Sequence, residues 1–393
     1  MTPTSPDTIT AMPPAPSRGR RLVASFVGVG VSLALLVWAF RGVQLHEFLG
    51  YVAGAHPGWL LAAVAVATFC FVVRALRWRL LLRRDDGGPV AWGPLWHATA
   101  IGFMANNVLP LRAGEVLRCV AVSRLGGTRL SAALSSIAVE RIFDGLAVVL
   151  LLAVALFSPG LSPNVTVGGV SVSHAATGAG IVCLVALALA GAVVAWPLAA
   201  ERVVRRLVPA RGLADRLVAL IDGVRHGLAV LRSPGRLLAV LAWSLAHWLL
   251  NGLAFYLAFL AFDLQVGHPV NFAAALLVQG LLIFGIAAPS TPGYAGVFEA
   301  VIVAALALYG VGNGPASAYA VTYHLTTFVP ITLLGLWSVA RMPGGLRDLS
   351  RAGERAAAAT ATPAEPATDS TTDSAADSAA DSAAGAAATP ARG

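Results

Sequence analysis

Apolar runs of about twenty residues recur along this chain, and no solvent restricts a backbone more than hydrocarbon does. Inside a bilayer every N–H and C=O must find a partner within the protein, which leaves helices or closed barrels. A helix needs about 20 apolar residues to cross. Runs of that kind fall at residues 22–40, 58–76, 132–157, 175–199, 237–262 and 319–340. The first follows a basic stretch, Ser17 to Arg21, and superficially resembles a secretory signal. It is longer than the roughly 7 to 15 residues of a signal core and no small-residue cleavage site follows, so it reads as a signal anchor.

Two further apolar stretches, residues 95–123 and 272–310, are interrupted by proline and glycine. The first contains Asn-Asn-Val-Leu-Pro-Leu-Arg-Ala-Gly-Glu-Val-Leu-Arg over Asn106 to Arg118. Intramembrane charges cost roughly 2.5 to 3.5 kcal/mol each on insertion scales, and a broken backbone must be covered by protein or line a wet cavity. Both stretches therefore read as re-entrant hairpins, and the first as half of a substrate site in a polytopic transporter.

Composition and arginine placement supply the topology. Residues are 57% hydrophobic and only 12% charged, and the formal net charge of +8 rests on arginine alone, since the chain has no lysine. The arginines flank apolar runs and do not gather on one soluble surface, which argues against nucleic acid as a partner. They fall in groups at 18–21, 74–84, 202–236 and 341–355, whereas the loops at 42–57, 158–174, 263–270 and 311–318 have none. Six spans plus two hairpins put all the arginine groups on one side. By the positive-inside rule that side is the cytoplasm, with both termini, and the chain belongs in the cell (inner or plasma) membrane.

The order is then span, span, hairpin, span, repeated once, and an odd number of crossings per half inverts the second half relative to the first. The hairpins share a short signature: Pro110, Ala113, Gly114 and Glu115 in one, Pro292, Ala295, Gly296 and Glu299 in the other. Interrupted segments at corresponding places in two halves point to a transporter binding site. Pro110, Gly114, Pro292, Gly293 and Gly296 would shape the tips.

The charged residues have two readings each. Arg112 and Arg118 either grip a phosphate with paired hydrogen bonds or anchor the hairpin at the cytoplasmic interface. Glu140, Arg141 and Asp144 share one wedge of a helix, with Arg141 able to reach Asp144 at i, i+3. They form a buried ion cluster, or they carry a coupling proton or pair with the hairpin arginines during alternating access. Glu299 is either a partner for an arginine or a headgroup ammonium, or a capping carboxylate for a helix starting after Gly296. The eight histidines show no HExxH or His/Cys pairing, so neither metal nor cofactor is expected.

Several blocks carry a family resemblance: Arg74 to Leu82, Asn106 to Arg118, Ala132 to Asp144, Pro289 to Ala300 and His324 to Trp337. Over roughly residues 22–341 the chain resembles the lysylphosphatidylglycerol synthase transmembrane region family, also called flippase-like integral membrane proteins. In bifunctional members this region moves aminoacylated phosphatidylglycerol between leaflets while a separate domain makes the lipid. Other relatives work with glycosyltransferases that handle polyprenyl-linked sugars. The resemblance implies site roles for Asn107, Pro110, Arg112, Gly114, Glu115, Glu140, Arg141, Gly293, Gly296 and Glu299. The chain departs from the family pattern at Tyr294, where a second glycine is common, and at His324, where an arginine is common. Both lie beside the expected cavity, so the lysyl lipid does not carry over as cargo.

The expectation is an all-α polytopic membrane protein: a disordered N-terminus over 1–20, a flippase-like domain over 21–345, and a polar Ala/Ser/Thr/Asp-rich disordered tail over 346–393. Its cargo would be an anionic or aminoacylated phospholipid or a polyprenyl-linked lipid. The substrate-contacting residues would be Asn107, Arg112, Glu115, Arg118, Glu140, Arg141, Asp144, Tyr294, Glu299 and His324. A small anionic solute is the alternative cargo. A non-transporting scaffold for a lipid-modifying or glycosyltransferase partner is the alternative from another class. No nucleophile and base pair or metal site points to an enzyme.

Overall fold

A computed structural model of the chain describes residues 33–109, 113–156, 196–208, 234–286 and 292–342, with isolated positions at 30, 166–167, 170–171, 181, 185 and 218. The N-terminus, the tail, and most of the expected spans at 22–40 and 175–199 lie outside or largely outside these residues. Apart from connecting turns, the described residues are helical except for a two-residue antiparallel pairing, Thr166–Val167 with Val170–Ser171, and an isolated bridge between Arg83 and Pro89. In chain order the helices are α1 (Leu45–Gly54), α2 (Pro57–Leu81), α3 (Trp92–Val108), α4 (Ala113–Gly126), α5 (Leu130–Leu156), α6 (Pro197–Leu207), α7 (Pro234–Ala261), α8 (Phe272–Gly285), α9 (Val297–Ala307) and α10 (Asn313–Ala340). A short 3₁₀ turn, Pro292–Tyr294, precedes α9.

Among the described residues α2, α7 and α10 are long and apolar enough to cross a membrane. At 1.5 Å per residue the 25 residues of α2 reach about 37 Å, more than the roughly 30 Å of hydrocarbon. On α10, Leu325, Val329, Leu333, Leu336 and Trp337 are all exposed, forming a stripe down one face. A continuous exposed apolar stripe suits lipid and not water. The chain is a multi-pass helical membrane protein.

Sequence explains how the helices meet. Pro57 opens α2 at a position where its missing N–H costs nothing. The preceding His56 ties that end to the far end of α7, its N–H donating to the Ala261 carbonyl at 2.7 Å and its ring 3.0 Å from Asp263. The two helices therefore run antiparallel. Their inner ends meet where Arg77 donates to Ser244 Oγ at 2.9 Å. Along α2 the buried stripe is Ala63, Ala67, Cys70, Arg74, Arg77 and Trp78, small residues in one half and polar ones in the other. An aromatic layer joins α7 to α10: Phe255 to Tyr323 at 4.6 Å and Phe259 to Tyr319 at 5.0 Å between ring centroids.

The two interrupted stretches each become a pair of helices folded on one another. In the first, α3 and α4 approach so closely that a Cβ on Gly114 would overlap the Gly102 carbonyl. The Gly114 N–H is taken up by Asn106 Oδ1 at 2.9 Å. In the second, Gly293 (φ 66°), Tyr294 (φ 61°) and Gly296 (φ 88°) are left-handed, which turns the chain sharply before α9. Glycine adopts this conformation at no steric cost, whereas Tyr294 pays about 1–2 kcal/mol. The turns touch, since a Cβ on Gly293 would stand 3.1 Å from the Asn107 carbonyl. On α10, Pro330 interrupts the interior of the helix.

Candidate functional site

The polar half of the α2 stripe faces the charged wedge of α5. Glu140 is fully buried and accepts from Arg118 of α4 at 2.8 and 3.2 Å and from Arg74 of α2 at 3.1 Å. Arg77 Nη2 lies 3.1 Å from the same carboxylate. Asp144, one turn on, accepts from Arg77 at 2.5 Å and from the Trp248 indole N–H at 3.0 Å. Arg141 stands 3.5 Å from both acids and 3.9 Å from Glu115. Four guanidinium groups thus meet three carboxylates, leaving the cluster with an excess of positive charge. Burying ions costs several kcal/mol apiece unless each is paired and hydrogen-bonded, and this network supplies both.

Aromatic groups complete the lining. The Arg118 guanidinium lies 3.8 Å from the Trp78 ring centroid, and Trp78 donates to Ser136 Oγ at 2.8 Å. Arg74 lies 5.0 Å from the Phe103 ring. Such contacts suit arginine, whose planar fork stacks and bonds at once. His247 Nε2 stands 2.8 Å from Arg74 Nη2; arginine can only donate, so His247 accepts there and carries its hydrogen on Nδ1.

Beside the cluster a partly open cavity of about 240 Å³ lies between the two helix pairs, α2, α7 and α10. Its polar wall includes Arg74, Arg118, Arg141, Glu115, Asn107 and Gln279; its apolar wall includes Phe103, Phe255, Phe298 and Phe328. Among the described residues, several buried atoms of the lining have no partner: Arg74 Nε, Arg118 Nε, His247 Nδ1 and Gln279 Oε1. An unmade hydrogen bond on a buried polar group costs about 1–3 kcal/mol. A cavity bordered by such groups, most of them donors, is built to take a polar, electron-rich ligand.

The second break has its own buried pair. Glu299 Oε2 accepts the Gly296 N–H at 2.6 Å, which caps the start of α9. Its other oxygen lies 2.5 Å from His324 Nδ1, and His324 Nε2 lies 2.9 Å from the Gly293 carbonyl. Phe298 stacks on the imidazole at 4.0 Å.

Residues 25–335 match the family described as Lysylphosphatidylglycerol synthase TM region. The chain belongs to this family. A UPF0104 membrane protein of Methanothermobacter thermautotrophicus is 25% identical over 333 residues, covering 81% of this chain and 92% of the relative. A second UPF0104 membrane protein of the same organism is 27% identical over 311 residues, covering 77% and 88%. Glycosyltransferase AglD of Haloferax volcanii is 27% identical over 307 residues, covering 71% of this chain and 48% of AglD; the match spans about half of that relative.

Within this lysylphosphatidylglycerol synthase TM region the site residues separate into groups. Glu115, Arg118, Arg141, Asn107, Tyr294 and Gly114 line the cavity, while Glu140 and Asp144 sit behind it, holding the arginines. Asn107 also donates to Thr332 Oγ1 of α10 at 2.8 Å. Glu299 and His324 lie behind the wall formed by Phe298 and Tyr323. Pro110, Arg112 and the side chain of Pro292 fall outside the described residues. Sequence reasoning missed Arg74 and Arg77, which it grouped with the cytoplasmic arginines. Both are buried in the ion cluster, whereas Arg79 and Arg84 of the same group are exposed. Their signal was helical spacing: each continues the small-residue stripe of Ala63, Ala67 and Cys70.

Proposed function

We propose that the chain is a flippase-like transporter that passes the headgroup of an anionic or aminoacylated phospholipid, or of a polyprenyl-linked lipid, through this cavity while the acyl chains stay in lipid. The cavity itself carries the reading: Arg74, Arg118 and Arg141 border it with guanidinium groups that are partly exposed or, among the described residues, incompletely paired, and guanidinium matches phosphate bidentately. Glu115 on the same wall offers a counter-charge to a headgroup ammonium. Phe103, Phe298 and Phe328 suit the glycerol and upper acyl region.

In this reading the helix pairs α3/α4 and α8/α9 are re-entrant hairpins entering from opposite faces, within six full spans arranged as inverted halves. The contact between Gly293 and the Asn107 backbone supports a meeting of their tips. The membrane is the cell membrane, with both termini cytoplasmic, on the strength of the arginine-free loops. The role is transport and not catalysis, because Glu140 and Asp144 are held by arginines and serve as neither free base nor nucleophile. The likeness to Glycosyltransferase AglD supports a working association with an enzyme that modifies or consumes the moved lipid.

The test is reconstitution in liposomes with headgroup-labelled phosphatidylglycerol or phosphatidylcholine, followed by chemical quenching of the outer leaflet. Faster loss of inner-leaflet label than in protein-free vesicles is expected, with the anionic lipid moving faster. No acceleration for either lipid, with the protein folded, would overturn the transport reading and leave the scaffold role. Release of trapped phosphate without lipid movement would assign the cavity to a small anionic solute.

A further inference from the structure

Glu299 and His324 stand apart from the arginine cluster, and their hydrogen bonds can be counted. The Gly293 carbonyl only accepts, so His324 Nε2, 2.9 Å away, carries a hydrogen. Nδ1 then faces a carboxylate oxygen at 2.5 Å. Without a proton between them, lone pair would meet lone pair in a buried site, both side chains being under a tenth exposed at 8% and 6%. The second carboxylate oxygen is already satisfied by the Gly296 N–H. The pair therefore holds one proton beyond the one on Nε2, whether written as imidazolium and carboxylate or as imidazole and carboxylic acid; it belongs to the pair.

That proton has mechanical work in view of what it joins. With it present both ring nitrogens are supplied with a hydrogen bond: Nε2 fastens Gly293, at the start of the left-handed turn, to α10, and Nδ1 holds Glu299, whose second oxygen fastens Gly296, at the end of the turn, to α9. Phe298 at 4.0 Å and Phe328 at 4.2 Å hold the imidazole from two sides. No other described group competes for it. On α9 the only ionisable residue is Glu299 and on α8 there is none. On α10 they are Tyr319, Tyr323 and His324, and the turn adds Tyr294. On α3 the ionisable residue is His97, bonded to Ser338. Arg74, Arg77 and His247, from α2 and α7, face Glu140, Asp144 and one another, and His46 and Glu47 of α1 are exposed.

We propose that Glu299 and His324 form a single-proton site behind the cavity wall, and that taking up and releasing this proton fastens and frees the Pro292–Gly296 turn, coupling lipid movement to protons. Loss of the proton leaves one ring hydrogen for two acceptors; it settles on Nδ1 against the charged carboxylate, Nε2 then meets the Gly293 carbonyl lone pair to lone pair, and the turn loses its tie to α10. The tie is present while the pair holds this proton and is lost when rising pH removes it. The coupling, though not the proton site, rests on the transport reading.

Hydrogen exchange of the peptide spanning residues 292–300, in lipid nanodiscs and corrected for intrinsic pH dependence, tests the site without any transport. Across the pH range over which the protein stays folded, the wild type should lose protection as pH rises, by up to about tenfold per pH unit once the pair gives up its proton. Glu299→Gln should stay protected throughout, because its amide donates to Nδ1 and its oxygen still accepts from Gly296 with no titrating proton. If that variant does not fold, His324→Arg, a permanent donor to both partners, should be equally flat. A flat wild type, or a variant that follows the wild type, overturns the proton site. In vesicles that move lipid, an imposed pH gradient should change the wild-type rate severalfold and leave Glu299→Gln unchanged; equal responses overturn the coupling while the exchange result stands. Wild-type vesicles that move no lipid overturn the transport reading, and with it the coupling, whatever the exchange shows.

Discussion

Replacing Glu140 by glutamine should injure this protein more than removing any one of its arginine partners, and removing an arginine as well should partly repair the damage. Glu140 is fully buried and holds Arg118 by two contacts at 2.8 and 3.2 Å, Arg74 at 3.1 Å and Arg77 at 3.1 Å. At an effective dielectric of about 20 each such pair is worth roughly 4 kcal/mol of Coulomb attraction, most of it spent offsetting desolvation. Glu140→Gln leaves those charges in place and unbalanced, and breaking a buried pair this way costs about 3–5 kcal/mol. Arg118→Gln leaves Glu140 with Arg74, Arg77 and the more distant Arg141 and should cost less, about 1.5–3 kcal/mol, the value of hydrogen bonds to a charged group. Adding Arg118→Gln to Glu140→Gln removes an unpaired buried cation, so the double variant should recover on the order of 1–3 kcal/mol, the usual coupling between contacting residues. The assay is heat denaturation in detergent, read by surviving monodisperse protein. The expected order of melting temperatures is wild type, Arg118→Gln, double variant, Glu140→Gln. A double variant that melts at or below Glu140→Gln would show independent effects and refute the account of the cluster as one charge-balanced unit.

Arg141 is 40% exposed at its side chain and borders the cavity, so its ion pairs are screened and worth about 1 kcal/mol or less. Arg141→Gln should melt within a few degrees of wild type yet slow lipid movement at least tenfold in the vesicle assay. Arg118→Lys keeps the charge but loses the two-pronged grip on Glu140 and the flat stack on Trp78, and should destabilise by about 1–3 kcal/mol in the same melting assay. Gly114→Val places a Cβ against the Gly102 carbonyl and the Asn106 side chain; the carbonyl belongs to the α3 backbone and cannot step aside, so the α3/α4 pair cannot close and the yield of monodisperse protein should collapse.

Helix breaks were the most legible part of this fold because proline and glycine act locally. The second break lies within the expected stretch 272–310 and is shaped by Gly293 and Gly296, and α9 begins immediately after Gly296. Glu299 could be read from sequence as a cap, and the Gly296 N–H donates to it. Its other partner, His324, lies 25 positions away, and no local rule pairs residues across that distance. Arg74 and Arg77 were hidden for a different reason. A membrane chain uses arginine both to mark its cytoplasmic rim and to balance buried carboxylates, and near a helix end the two uses look alike. What separates them is the face: Arg77 continues the stripe of Ala63, Ala67 and Cys70, and Arg79 does not. The excess positive charge beside the cavity therefore emerged only when α2 and α5 were brought together.

Pro330 removes one backbone hydrogen bond from the middle of α10. Ahead of it, His324 is bound to α9 and its turn. Beyond it, Thr332 meets Asn107, Gly335 presses against Met104 and Ala100, and Ser338 meets His97, all on α3. A single rod is thus bolted to one helical hairpin along its first half and to the other along its second, with its softest joint between the bolts. Should the two hairpins ever tilt against each other, α10 has only to flex at that joint, and neither set of fastenings need be undone.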